Sequence, residues 1–252
     1  MKIAIITGAS SGIGKEFLIQ LDKACNDLDE IWAISRTIEE TAFPNTKARI
    51  VRLPLDLLKE NAFAVLSSKL RAEMPKIKVL INSAGFGKLG EFVDIPMQMQ
   101  SNMVDLNVNA LMKTCHVCIP YMAKGGYIIN MASAAAFMPQ MRFAVYAATK
   151  AFVLSLSRAL HYELASKKVS VTAVCPGPVK TPFFDIAEDD TTHTLQIKKF
   201  IMVKPEKVAA HALKCAKARK QVAIYSLPMK GMHLIGKIVP TTLALTIYDH
   251  MV

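Results

Sequence analysis

An α/β fold is predicted, a three-layer, doubly wound parallel sheet of about seven strands, and three observations predict it. Short apolar, β-branched runs alternate with longer stretches of helical period, the pattern of successive βαβ units. Several runs are apolar on both faces, as strands are when helices cover both sides of a parallel sheet. Small and polar residues cluster just after the runs, which is where ligands bind in such sheets, beyond the carboxyl ends of the strands and near the reversal of strand order.

The elements follow in that order. IAIIT (3–7) is the first strand and leads into TGASSGIG and a helix over 13–24. EIWAIS (30–35) is the second strand, followed by SRT, and ARIVRLP (48–54) is the third, followed by LDL and a helix over 59–74. KVLIN (78–82) opens into NSAG and a long helix over 99–122. YIINMAS (127–133) precedes MASAAA and a helix over 144–166, and VSVTAVCP (169–176) runs into CPGPVKT. A helix over 205–219 and the strand QVAIYS (221–226) complete the pattern.

Size and composition bound the rest. A chain of 252 residues with 52% apolar and 20% charged residues is globular and can bury a core without a disulfide or metal staple, so one domain over 1–252 is expected. The first apolar run is too short for a signal peptide and passes directly into a glycine turn, so export is not expected. Five cysteines without a secretory signal fit reduced thiols in the cytoplasm. Cys115 and Cys118 could make a redox or metal pair, but they lie within an apolar helical pattern with no second pair, which favours helix packing. No HExxH or GxSxG motif organises the six histidines or a serine nucleophile, so no metal is expected.

A net charge of +11 admits nucleic acid, a membrane surface, a phosphorylated cofactor or an acidic carrier protein. The lysines are scattered, and the densest group, KCAKARK (214–220), carries no interleaved aromatic residues, so nucleic acid is not the expected partner.

Two motifs carry chemistry. In TGASSGIG, Gly8, Gly12 and Gly14 stand between a strand and a helix, where glycine lets the backbone approach a pyrophosphate and the free N–H groups of the helix favour its charge. The spacing is GxxxGxG rather than GxGxxG, so a purely structural turn remains the competing reading. In YAATK, Tyr146 and Lys150 stand four apart on a predicted helix and share one face. A phenol beside an ammonium suits proton transfer, but the same spacing also suits a surface pair.

Taken together, TGASSGIG, Asp56, NSAG, Asn107, Ser133, YAATK and PGPVKT, in this order over nearly the whole chain, resemble the compact, single-domain branch of the short-chain dehydrogenases/reductases. The resemblance implies a Rossmann-like oxidoreductase interconverting a secondary alcohol and a ketone. Tyr146 would be the general acid/base, Lys150 its electrostatic partner and cofactor anchor, Ser133 the carbonyl orienter and Asn107 the relay, although Asn109 rivals Asn107 on spacing alone. The ammonium of Lys150 and the positive nicotinamide ring of the oxidised cofactor are both expected to favour the phenolate.

The resemblance also places a dinucleotide on Gly8, Ser10, Ser11, Gly12, Ile13 and Gly14. Asp56 and Leu57 would take the adenine, and Asn82, Ala84 and Gly85 the ribose and pyrophosphate side; the family's second Asn is Ser83 here. Pro176, Gly177, Val179 and Thr181 would surround the nicotinamide. At the end of the second strand stand Ser35 and Arg36 instead of the carboxylate that selects NAD. A guanidinium there can grip a 2′-phosphate, so NADP(H) is preferred and NAD(H) comes second.

Residues 182–203 mix aromatic, acidic and basic residues where family members carry a lid, and Glu188, Asp189 and Asp190 are expected at its solvated surface. Phe86, Leu89, Ala134, Met138, Met141, Phe143, Phe183 and Phe184 form an apolar set of pocket walls, pointing to a hydrophobic substrate such as a hydroxysteroid. The alternatives are a 3-oxoacyl-carrier-protein reductase, which the basic surface suits, and a protein that senses NADP(H) without chemistry. The tail over 228–252 has an apolar run of about ten residues, too short to span a bilayer. It is expected to pack as a terminal helix over the pocket or a subunit interface, with weak peripheral membrane contact through Lys230 and Lys237 as the lesser alternative. A homodimer or homotetramer is implied by the resemblance alone.

Overall fold

In a computed structural model, which describes residues 1–187, 202–240, 242, 243 and 246, seven parallel strands form one sheet. They are β1 (Lys2–Thr7), β2 (Glu30–Ile34), β3 (Arg49–Leu53), β4 (Lys76–Asn82), β5 (Met122–Met131), β6 (Ser170–Val174) and β7 (Val222–Ala223), in the order β3-β2-β1-β4-β5-β6-β7. Strand order reverses between β1 and β4. Thr7 pairs with Ile34 on one side and with Asn82 on the other, and Asn82 pairs with Asn130. The carboxyl ends of these strands are therefore level, and the loops that follow them emerge along one rim.

The period-two pleat explains why β1 is apolar on both faces. In β1, Ala4 and Ile6 face a core shared with Phe17, Leu18 and Leu21 of α1 (Gly12–Ala24) and Val208 and Ala212 of α7 (Pro205–Lys217). Ile3 and Ile5 face the opposite core, with Trp32, Phe63 and Leu66 of α2 (Glu60–Glu73), Leu111 of α4 (Leu111–Cys118) and Val153 of α5 (Ala144–Glu163). Both faces of the sheet are covered, as alternating side chains require.

Two elements differ from expectation. The helix predicted over 99–122 is α3 (Met97–Val104), a π-helical turn over Asp105–Ala110, and α4, and β5 then begins at Met122. The interruption has a side-chain cause. Asn107 bonds the main chain of Phe86 from both ends of its amide, accepting from the N–H at 3.0 Å and donating to the carbonyl at 2.9 Å. Docking the helix on that loop matters more than regular winding. The last strand covers two residues instead of six, Val222 and Ala223, which pair with Ala173 and Val174 of β6.

Candidate active site

The switch point is built of backbone packed to its limit. Thr7 Oγ1 accepts from the N–H of Ser83 at 3.1 Å and of Ala84 at 3.2 Å, tying the ends of β1 and β4 together. Gly8 has φ of +68°, and a Cβ there would lie 2.8 Å from Ala84 N; a Cβ on Gly14 would lie 2.1 Å from the Gly8 carbonyl oxygen. No other residue fits either position. Both readings of the glycine turn thus describe the same atoms: the turn is tight, and its tightness brings bare backbone to the rim.

α1 starts immediately after the turn. Its N-cap residue, Ser11, makes no side-chain capping bond and its first turn carries no acid, so the helix N-terminus is open to an anion. These features fit a dinucleotide pyrophosphate.

A cleft of about 680 Å³ runs from this turn along the rim. Gly8, Ser10, Ser11, Gly12, Ile13 and Gly14 line one end. Ser35 and Arg36 border it after β2; Ser10 and Ser35 hydroxyls lie 2.7 Å apart, and Arg36 is exposed and makes no ion pair among the described residues. Asp56 and Leu57 follow β3, with one Asp56 oxygen accepting from the Leu58 N–H at 3.1 Å and the other without a hydrogen-bond partner among the described residues. Ala84 and Gly85 lie at the centre, and Pro176, Gly177, Val179 and Thr181 close the far wall. A Cβ on Gly12 would stand 3.2 Å from Thr181 Cγ2, so this last loop folds over the glycine turn.

Two predicted residues stand behind the cleft wall. Asn82 is buried and donates to Asn130 Oδ1 at 2.9 Å and towards Cys115 Sγ at 3.2 Å, so it locks β4 to β5. Asn107 is also buried; besides Phe86 it donates to Thr149 Oγ1 at 3.1 Å, and Thr149 in turn donates to the Tyr146 carbonyl at 2.7 Å. Asn109 instead donates to Asp105 along its own helix at 2.7 Å. Of the two asparagines, Asn107 is the one tied to the helix that carries Tyr146.

Ser133, Tyr146 and Lys150 meet in the other half of the cleft. The Tyr146 ring stacks on Phe143 with centroids 4.2 Å apart and lies 5.5 Å from Phe183, the first residue of α6 (Phe183–Ala187). Ser133 Oγ accepts from the Ala135 N–H at 3.1 Å, leaving its own O–H to donate. Lys150 is 5% exposed; its Nζ donates to the Met131 carbonyl at 2.8 Å and lies 5.6 Å from the Tyr146 ring centroid.

Burial sets the electrostatics of both groups. Burial pushes the Tyr146 phenol up to about 12, Ser133 pulls it back by hydrogen bonding, and Cys175 adds to the rise. Burial also lowers the Lys150 ammonium to about 8. Burial dominates both shifts, with the ammonium turned to the Met131 carbonyl and aromatic rings enclosing the phenol. A phenol shifted upward in this way keeps its proton and is suited to be a donor.

Two methionines were not foreseen by number. Met229 and Met232 of α8 (Leu227–Ile238) line the cleft, and a Cβ on Gly177 would lie 2.8 Å from Met229 Sδ. Met138 supports that helix under Gly236 instead of lining the cleft, and Met141 does not line it either. Cys115 and Cys118 are buried in α4, and burial raises both thiols, Cys115 to about 12, so neither is a thiolate at neutral pH. Glu188, Asp189, Asp190 and most of the 182–203 segment lie outside the described residues.

A family model described as short chain dehydrogenase matches residues 2–191, which include the glycine turn, Asn107, Ser133, Tyr146 and Lys150. The chain is a short-chain dehydrogenase/reductase. It is 30% identical over 259 residues to a probable short-chain type dehydrogenase/reductase, VdlC, of Helicobacter pylori, covering 98% of this chain and 92% of that one. A short-chain dehydrogenase from Sphingobium yanoikuyae, solved in complex with NADPH, superposes with a TM-score of 0.76 at 25% identity, covering 94% of this chain and 93% of that one. The bulky-bulky ketone specific alcohol dehydrogenase from Comamonas testosteroni gives 0.72 at 27% identity, covering 90% and 87%. This dehydrogenase/reductase is accordingly a Rossmann-like oxidoreductase acting on CH–OH donors with a nicotinamide cofactor.

Proposed function

We propose that the enzyme interconverts a ketone and a secondary alcohol, with NADP(H) preferred, on a hydrophobic substrate of hydroxysteroid size. The observation that carries this reading is the Tyr146 phenol, held between Phe143 and Phe183 beside Ser133, in the same cleft as the glycine turn.

The bound nicotinamide supplies or accepts the hydride. Ser133 donates its O–H to the substrate oxygen and fixes it beside Tyr146, whose phenolic proton passes to that oxygen as charge develops. In the reverse direction the phenolate takes the alcohol proton. Lys150, anchored on Met131 next to Gly85, would hold the nicotinamide ribose and contribute its charge there. Asn107 holds the 86 loop to α5 through Thr149 and so maintains Tyr146 against the cleft. The apolar walls exclude water and take the two flanks of the ketone.

NADP(H) preference is supported by Arg36, exposed at the cleft and without a carboxylate partner among the described residues, and a 2′-phosphate would supply that partner. The NADPH of the Sphingobium relative is compatible with this preference, and the bulky-bulky ketone of the Comamonas relative with the ketone reading. The same reading takes 1–252 as one domain, located in the cytoplasm in keeping with five free cysteines. It also takes a homodimer or homotetramer assembled through α4 and α5, where Met112 and Phe152 are 41% and 40% exposed.

The test is a panel of ketones followed by NADPH absorbance, comprising steroid ketones, small ketones and a carrier-linked 3-oxoacyl chain. The reading expects turnover of bulky free ketones; preference for the carrier-linked chain replaces the substrate assignment. Tight NADPH binding with no turnover across the panel leaves a sensor instead.

A further inference from the structure

We propose that α8 is an interfacial helix that docks the enzyme on an anionic lipid surface. Its inner face belongs to the cleft: Met229 and Met232 line the wall, and Gly236 packs against the Phe137 carbonyl. Its outer face carries Leu227, Leu234, Ile235 and Ile238, which are 79%, 58%, 51% and 71% exposed. At 3.6 residues per turn these four fall on the arc opposite Met229, Met232 and Gly236. The helix is apolar on two opposite sides, and Lys230 and Lys237 share one flank between them. Beside that lysine flank, the outer apolar side is a contiguous exposed patch, which marks a contact surface.

Charge identifies the cover. Between Glu206 and Asp249 the sequence contains no acidic residue and seven basic ones: Lys207, Lys214, Lys217, Arg219, Lys220, Lys230 and Lys237. A second copy packed two-fold on α8 brings Lys230 and Lys237 against the same basic region, which like-charge repulsion opposes. An anionic bilayer accepts both features at once, the apolar side chains in its headgroup boundary and the lysines at its phosphates. Among the described residues no helix is long and apolar enough to cross a membrane, so α8 lies along the surface.

Docked in this way, the wall formed by Met229 and Met232 faces the bilayer on its outer side, and an apolar ketone leaving the lipid reaches the cleft with little exposure to water. This clause rests on the hydrophobic-substrate reading; the docking does not.

The experiment is co-sedimentation of the full chain with phosphatidylcholine vesicles, with and without about 30 mol% phosphatidylglycerol. Binding about tenfold stronger to the anionic vesicles, lost in ~1 M salt, is expected. The pair Leu234→Glu and Ile238→Glu should reduce that binding about tenfold while NADPH affinity and turnover of a soluble ketone stay unchanged, which also verifies folding. No binding by the wild type, or undiminished binding by the glutamate pair, overturns the proposal. So does a fall in particle size by light scattering without any change in vesicle binding, which makes the face a subunit contact, and so does capture by an acidic carrier protein but not by vesicles. Vesicle binding needs no turnover, so its failure and that of the ketone reading are separately visible.

Discussion

The two halves of the cleft are made of different material. The dinucleotide half is backbone: Gly8 and Gly14 pack against main-chain atoms of Ala84 and Gly8 with no room for a Cβ. The substrate half is side chain: Phe143, Tyr146 and Phe183 stacked together, with thioethers from α8 completing the wall. A backbone site is all or nothing, whereas a wall of rings and flexible thioethers can be reshaped one residue at a time. The half that admits no added side chain and the half that can be reshaped are physically separated.

The largest effect expected is in the backbone half. Gly14→Ala forces a methyl onto the Gly8 carbonyl and should cost about 4 kcal/mol or more, read as a fall in Tm of about 10 °C with loss of NADPH binding. A variant of wild-type stability would break the contrast. Arg36→Ala, at the side-chain fringe of the same half, should lower kcat/KM for NADPH about 10- to 100-fold and leave that for NADH within about threefold.

Between the halves stands Lys150. Its folded value of about 8 lies below the ordinary 10.5, so between these values the unfolded chain binds a proton that the folded chain does not. Stability contributed by this group therefore rises as pH rises across that window. Lys150→Met should abolish that slope and raise stability below pH 8 by about 1 kcal/mol, the gain from removing a buried charge less the lost bond to Met131; thermal melts at pH 7 and 9 check both. The smallest effect is expected from Phe183→Ala, which should raise KM for a bulky ketone about three- to tenfold with NADPH affinity unchanged.

The same division explains what was legible in the sequence. Strand positions, the glycine turn and the Tyr146–Lys150 spacing are encoded locally, by residue period and by the few residues a turn tolerates. Asn82 and Asn107 carry no local sign of their burial; each is defined by partners 48 and 42 residues away, Asn130 and Thr149. The π-turn follows from the bonds of Asn107 to Phe86 and no periodicity announces it. Met229 and Met232 reach the cleft only because Gly177 and Gly236 let α8 approach closely, a tertiary fact. The direction of the Tyr146 shift depends on its enclosing rings, which the four-residue spacing does not contain.

The account stands on Tyr146 as the proton donor of the substrate half. Tyr146→Phe keeps the ring, its stacking on Phe143 and the apolar wall, and removes one oxygen. With NADPH and a bulky ketone turned over by the wild type, the variant should bind NADPH within about threefold and lose about a thousandfold or more in kcat. Turnover retained within about tenfold, in a variant that still binds NADPH, would contradict it.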